Sequence, residues 1–368
     1  MRLALLVTSA LLTTVSSFVI PINIAQVSNV TSGGTELDQF MQSYFVTNVT
    51  VGTPPQLFRV IVDTGSANFW IPDVTCSACK NKRLFDSKAS STFIKNGMPW
   101  ANSDRFGNTS GILGADTVRF ATDARDMVTV ENTGVFQAAE IGEKVAALDG
   151  VDGVLGLAFQ AIATANVIPP FITGFNRGHI VSPVFSIWLE EQGESSDSGT
   201  AGVIFYGGYD PVHCSSERKF QYLSVIGQFQ FTTATLYING HETAGKMQTT
   251  IVSSSPFIKM PLSSVRKVLS LLHLPADTPL PAKVKCDAVL ELEIYIAFEE
   301  LIISQRNLIV PNGDGTCTLA VMPADAGSWN DGLNIELGIP FLRGRCTYFD
   351  IDQQRVGFAD AKSHASNK

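Results

Sequence analysis

The 368-residue sequence is poor in charge: only 16% of its residues are Asp, Glu, Lys or Arg. Long solvated helices and disordered tails are therefore not expected. What charge there is tips acidic, 34 acids against 26 bases, for a formal net charge of -8 with no basic run. That argues against nucleic acid and anionic membranes as partners. Five His are scattered without an H-E-x-x-H arrangement, so metal catalysis has no support, and no metal or cofactor is expected. Phe18 to Leu37 contains no Lys, Arg or His. Pro211 to Ala276 contains no Asp, and its only acids are Glu217 and Glu242. Beyond Leu3 to Val15, no apolar run comes near the length needed to span a bilayer.

What the chain has in quantity is apolar material, 45% of its residues, enough for two cores of ordinary size at this length. Met1-Arg2, the apolar run Leu3 to Val15, and the small residues Val15 and Ser17 read as a secretory signal over 1–17, cut after Ser17. The stretch 18–40 reads as a short, non-basic and flexible leader, helped by Ser32-Gly33-Gly34. Six cysteines in a secreted chain suggest three disulfides, and spacing alone leaves 15 pairings open. Cys76-Ser77-Ala78-Cys79 stands without a second C-x-x-C or a His pair, which disfavours zinc. Sequons at Asn29, Asn48 and Asn108 fit the secretory route.

Turn signals and alternating β-branched residues mark many short strands, with only brief helical stretches near Pro169-Pro170 and after Pro261, where Ser263-Ser264 reads as an N-cap. The central stretch is Phe58-Arg59-Val60-Ile61-Val62-Asp63-Thr64-Gly65-Ser66, followed by Ala67-Asn68-Phe69-Trp70-Ile71-Pro72. A buried strand there delivers Asp63 onto a Thr-Gly turn. Further on come Gly111-Ile112-Leu113-Gly114 with Asp116-Thr117-Val118, then Asp152 to Phe159, and finally Leu337-Gly338-Ile339-Pro340-Phe341 with Val356-Gly357-Phe358-Ala359.

Together these segments resemble the pepsin-like aspartic peptidases (peptidase A1), in particular nematode-type secreted members, over roughly Phe45 to Ala361. The resemblance implies an all-β, bilobal pepsin-like fold with a few short helices and a central interlobe cleft. Its lobes would be 41–210 and 211–368, and we expect a monomer. It implies the disulfides Cys76–Cys79, Cys286–Cys317 and Cys214–Cys346. It also implies that Asp63 is a catalytic carboxylate, with Thr64, Gly65 and Ser66 lining the cleft. In this family a hairpin closes over bound peptide. Its tyrosine and following glycine fall here at Asp104 and Arg105, which reads as a solvated hairpin tip, with Phe106 left to cover part of the cleft.

The family's second Asp-Thr/Ser-Gly is missing. Thr249-Thr250-Ile251-Val252-Ser253-Ser254-Ser255-Pro256 stands in its place, and Ser253 is read as occupying the position of the second carboxylate. A hydroxyl titrates too high to act as the acid, and without a second carboxylate no proton can be shared. The family's basic prosegment, whose lysine pairs with the two carboxylates, has no counterpart here. The leading expectation is a catalytically incompetent homologue that binds a polypeptide or other ligand through its interlobe cleft or its surface. The rivals are an acid endopeptidase that tolerates the change, and a surface protein with no cleft ligand.

Overall fold

The computed structural model describes residues 17–25, 44–120, 128–191, 201–324 and 333–362. Residues 1–16 of the expected signal and the sequon at Asn29 lie outside them. The fold is built almost wholly of strands. Among the described residues the main sheet has 13 strands, and smaller sheets of 6, 4 and 3 strands lie in the second half.

The chain enters with β1 (Phe18–Ala25), β2 (Tyr44–Val51) and β3 (Gln56–Asp63), which meander through the main sheet. The expected flexible leader therefore begins as a strand. The alternation Phe18-Val19-Ile20 buries Phe18 and Ile20 and turns Val19 outward, and the Phe18 ring stacks on Tyr206 at 5.1 Å. Such alternation is the ordinary signal of a half-buried strand, and it outweighs the missing charge.

Next come β4 (Phe69–Pro72), the long hairpin of β5 (Ile94–Asp104) and β6 (Gly107–Phe120), then β7 (Val128–Glu140) and β8 (Gly153–Gly156). β8 inserts parallel to β3 and antiparallel to β4, while β7 runs parallel to β4. Parallel strands must be covered on both faces, which is why β3, β4 and β8 read as nearly continuous apolar runs. A side chain on Gly156 would be impossible there, since its Cβ would lie 2.5 Å from the Asn68 nitrogen.

The second half repeats this unit. The strand Met247–Ile251 runs parallel to Leu333–Leu337, which is antiparallel to Ile258–Met260, itself parallel to Val321–Pro323. Gly338 copies Gly156: its Cβ would meet the Ser255 carbonyl oxygen at 2.2 Å. β9 (Val184–Leu189) and β10 (Gly202–Tyr206) join the late strands Arg345–Asp350 and Arg355–Asp360 into the main sheet, so the end of the chain closes onto its first half. All three disulfides pair as the resemblance implied, Cys76–Cys79, Cys214–Cys346 and Cys286–Cys317.

One local reading differs. The helix Leu262–Leu271 starts from Pro261 with no side-chain cap, and Ser264 is buried instead of capping. The strand Glu299–Ile303 is followed by a helical turn over Gln305–Leu308.

Candidate active site

β3 ends on Asp63, and its turn packs against the matching turn of the second half. The contact is a reciprocal set of four hydrogen bonds. The Thr64 backbone N–H donates to Ser253 Oγ at 3.0 Å, and the Ser253 backbone N–H donates to Thr64 Oγ1 at 3.0 Å. In turn, Thr64 Oγ1 donates to the Ile251 carbonyl and Ser253 Oγ to the Val62 carbonyl, each at 2.8 Å. All four groups are buried, where an unmade bond costs ~1–3 kcal/mol per group.

This symmetry corrects the expected place of the second carboxylate. Thr64 and Ser253, 189 residues apart, are each other's counterparts. The residue one step earlier in each turn is Asp63 in the first half and Val252 in the second. Strand pairing agrees, because Val62 lies beside Leu155 as Ile251 lies beside Leu337. Ser253 is thus an interlobe bond, and the position facing Asp63 carries the fully buried Val252. A methyl placed on Gly65 would lie 2.9 Å from Val252 Cγ1 and 3.1 Å from Asp63 Oδ1, which shows how closely the two turns converge.

Asp63 is buried, at 2% exposure, and its Oδ1 accepts from the Gly65 N–H at 2.8 Å and from Ser254 Oγ at 2.7 Å. Thr64 is buried, and Gly65 and Ser66 are half-buried at the cleft. Among the described residues, no carboxylate of the second half bonds to Asp63.

The hairpin tip departs further from expectation. Phe106 does not face the cleft: it is fully buried, with its ring 5.8 Å from that of Tyr44. Arg105 points into the cleft instead of into solvent. Its Nη1 pairs with Glu336 Oε1 at 3.4 Å, and its Nη2 would sit 3.2 Å from a Cβ on Gly65. Asp104 is turned inward to hold this tip, accepting from the Phe106 N–H at 2.8 Å and from Asn102 Nδ2 at 2.7 Å. The apolar core below takes Phe106, worth about 1.5–3 kcal/mol, and that choice sends Arg105 the other way.

Glu336 and its second partner Lys259, with Nζ at 3.5 Å from Oε1, are a cross-strand pair between Leu333–Leu337 and Ile258–Met260. The same pair in the first half is Val154 with Trp70. Two apolar side chains have therefore been exchanged for an ion pair in one lobe only. The visible signal was a charge within Ile258-Lys259-Met260 and within Ile335-Glu336-Leu337, both inside otherwise apolar strands.

Electrostatically the cluster is tightly coupled. Burial raises the Glu336 pKa, but Arg105, Lys259 and the Ser255 hydroxyl outweigh it and hold the carboxyl below its ordinary value. Burial likewise works against the Arg105 cation, yet Glu336, Asp63 and Asp104 together raise its pKa above the ordinary guanidinium value. Asp104 is raised, chiefly by desolvation, with the Phe106 N–H working against the shift. Burial pushes the Tyr44 phenol up to about 12, with Arg105 and Asp63 both close enough to act on it.

Of the sequons, Asn108 is exposed on β6 and Asn48 is half-buried on β2. Among the described residues, no cluster of His, Cys, Asp and Glu could hold a metal ion, and no helix is long and apolar enough to cross a membrane.

The sequence model of the eukaryotic aspartyl protease family matches residues 43–361. Aspartic protease 6 of Caenorhabditis elegans is 36% identical over 326 residues, covering 88% of this chain and 83% of its own. Aspartic protease 2 of Necator americanus is 26% identical, covering 86% and 83%. A probable vacuolar protease A of Trichophyton verrucosum is 28% identical, covering 89% and 80%.

Proposed function

The chain belongs to the eukaryotic aspartyl protease family, and from that premise we propose that it is a catalytically incompetent member whose interlobe cleft binds polypeptide. One observation carries the reading: the position that the reciprocal hydrogen bonds match to Asp63 is Val252. Amide hydrolysis by this family's chemistry uses two carboxylates sharing one proton. The ionised one takes a proton from the attacking water, and the protonated one donates to the scissile carbonyl. An isopropyl group can do neither, and each positioned acid or base is worth about 10²–10⁴ in rate. Arg105 adds a second obstacle, because its guanidinium lies between Asp63 and Glu336 where the water and the scissile carbonyl would have to sit. We further propose that the chain is cleaved after Ser17, secreted, and glycosylated at the exposed Asn108 in preference to the half-buried Asn48. Three disulfides fit an oxidising compartment.

The second reading is an acid endopeptidase, favoured by the intact Asp63-Thr64-Gly65 turn. Incubating the secreted protein with a denatured protein substrate from pH 2 to 6 separates the two. Incompetence predicts no cleavage above that of an Asp63→Asn control. Cleavage that pepstatin blocks and Asp63→Asn abolishes would establish the endopeptidase.

A further inference from the structure

Resting on the reading that the cleft takes polypeptide, we propose that its occupant is an extended chain carrying a lysine or arginine, whose cation replaces the Arg105 guanidinium between Asp63 and Glu336.

The argument starts from charge. Three acids, Asp63, Asp104 and Glu336, meet two cations, Arg105 and Lys259, at the centre of the cleft. Asp63 and Glu336 belong to the floor, on β3 and on Leu333–Leu337, and both are about 2% exposed. Arg105 and Asp104 belong to the hairpin above it. Any chain lying along Asp63 must occupy the space of the guanidinium and move it aside. Of the groups here Arg105 is the one that can move, because it sits at a hairpin tip, is 24% exposed, and has Asp104 beside it. The floor has no such freedom. It would keep two buried acids against Lys259 alone, and a buried carboxylate stripped of a partner is costly.

The incoming group decides whether that cost is met. An anionic side chain adds repulsion. A neutral one leaves Glu336 with one cation fewer. A lysine or arginine restores the pair that was broken, as a charge-assisted hydrogen bond in a water-poor cleft. Arg105 is then an internal competitor for the subsite, and its removal should favour the ligand.

The test uses two fluorescently labelled pools of decapeptides, randomised except for a central lysine in one and a central norleucine in the other. Norleucine keeps the aliphatic stem and lacks the charge. Binding is read by anisotropy against the wild-type protein, Arg105→Ala, and Arg105→Ala with Glu336→Gln, with Arg105→Gln as a variant that preserves side-chain bulk. Each protein is first checked for a cooperative thermal transition. The expected result is at least about tenfold tighter binding of the lysine pool to Arg105→Ala and Arg105→Gln than to wild type. That corresponds to about 1.4 kcal/mol. The norleucine pool should change less than threefold, and the preference should vanish when Glu336→Gln is added. If both pools bind the Arg105 variants equally, the cationic subsite is refuted while the polypeptide cleft stands. If neither pool binds any of the proteins, both fall.

Discussion

Removing the Ser253 hydroxyl tests the central geometric finding, that this residue joins the lobes and does not stand opposite Asp63. Ser253→Ala deletes a donor to the Val62 carbonyl and an acceptor for the Thr64 N–H, both at positions sealed from water. Nothing nearby can replace the lost acceptor, since Thr64 Oγ1 is already engaged with Ile251 and with the Ser253 N–H. At ~1–3 kcal/mol for each of the two buried groups left unpaired, the variant should lose about 2–6 kcal/mol. Urea titration followed by tryptophan fluorescence would show this as a lower midpoint at unchanged slope. In a thermal scan the same loss is a fall of at least roughly 4 °C. Ser253→Thr keeps the hydroxyl and should lose less than half as much. Were Ser253 instead a cleft residue facing Asp63, its truncation would be close to silent. A Ser253→Ala protein within about 0.5 kcal/mol of wild type would therefore refute the assignment, and the matching of Asp63 with Val252 would fall with it.

Val252→Asp places a carboxylate at the position matched to Asp63, but Arg105 is there to pair with it, so hydrolysis of a denatured substrate should stay at background. Adding Asp104→Tyr and Arg105→Gly, which returns the hairpin tip to the family's pattern, should raise the rate at least about 10²-fold over the single variant, the worth of one positioned acid. Glu336→Gln should alter the pH dependence of stability. The folded carboxyl lies below its ordinary value near 4.5, so its contribution is present above that pH and lost as pH falls through the lower folded value. Denaturation midpoints should thus show the variant weaker than wild type at pH 7, with the gap closing below about pH 4.5; a gap that is constant with pH would contradict the pairing.

Much of the fold was legible because burial writes itself into composition. β3 and β8 are apolar on both faces, glycine stands at 156 and 338 where a Cβ would strike backbone, and Asn239-Gly240 turns a hairpin with both residues at positive φ. The site was legible only in part. Asp63 stands out because a carboxylate at the end of a buried strand needs a reason. Val252 does not, since one more apolar residue after Ile251 looks like core, and the eye goes to the next hydroxyl. Aligning the two strands by their pairing partners, Leu155 and Leu337, would have exposed the one-residue shift. The direction of Arg105 was beyond local reasoning altogether. It depends on which of two adjacent tip residues the core accepts, and on a carboxylate 231 residues away.

That distant carboxylate also bears on the proposed incompetence, which rests on more than the residue at position 252. Arg105 is held in a desolvated place only because Glu336, Asp63 and Asp104 surround it. Glu336 in turn occupies a strand position where the other lobe has Val154, and it is tolerable there only with Arg105 and Lys259 beside it. Lys259 is the counterpart of Trp70, and it lies cross-strand from Glu336. Each group is thus a condition for the others, and they come from the hairpin tip and from two strands of the opposite lobe. Restoring an acid at position 252 leaves this arrangement in place and gives Arg105 one more anion to bind. On the proposed reading, an acid at position 252 is expected to act only once the guanidinium is displaced.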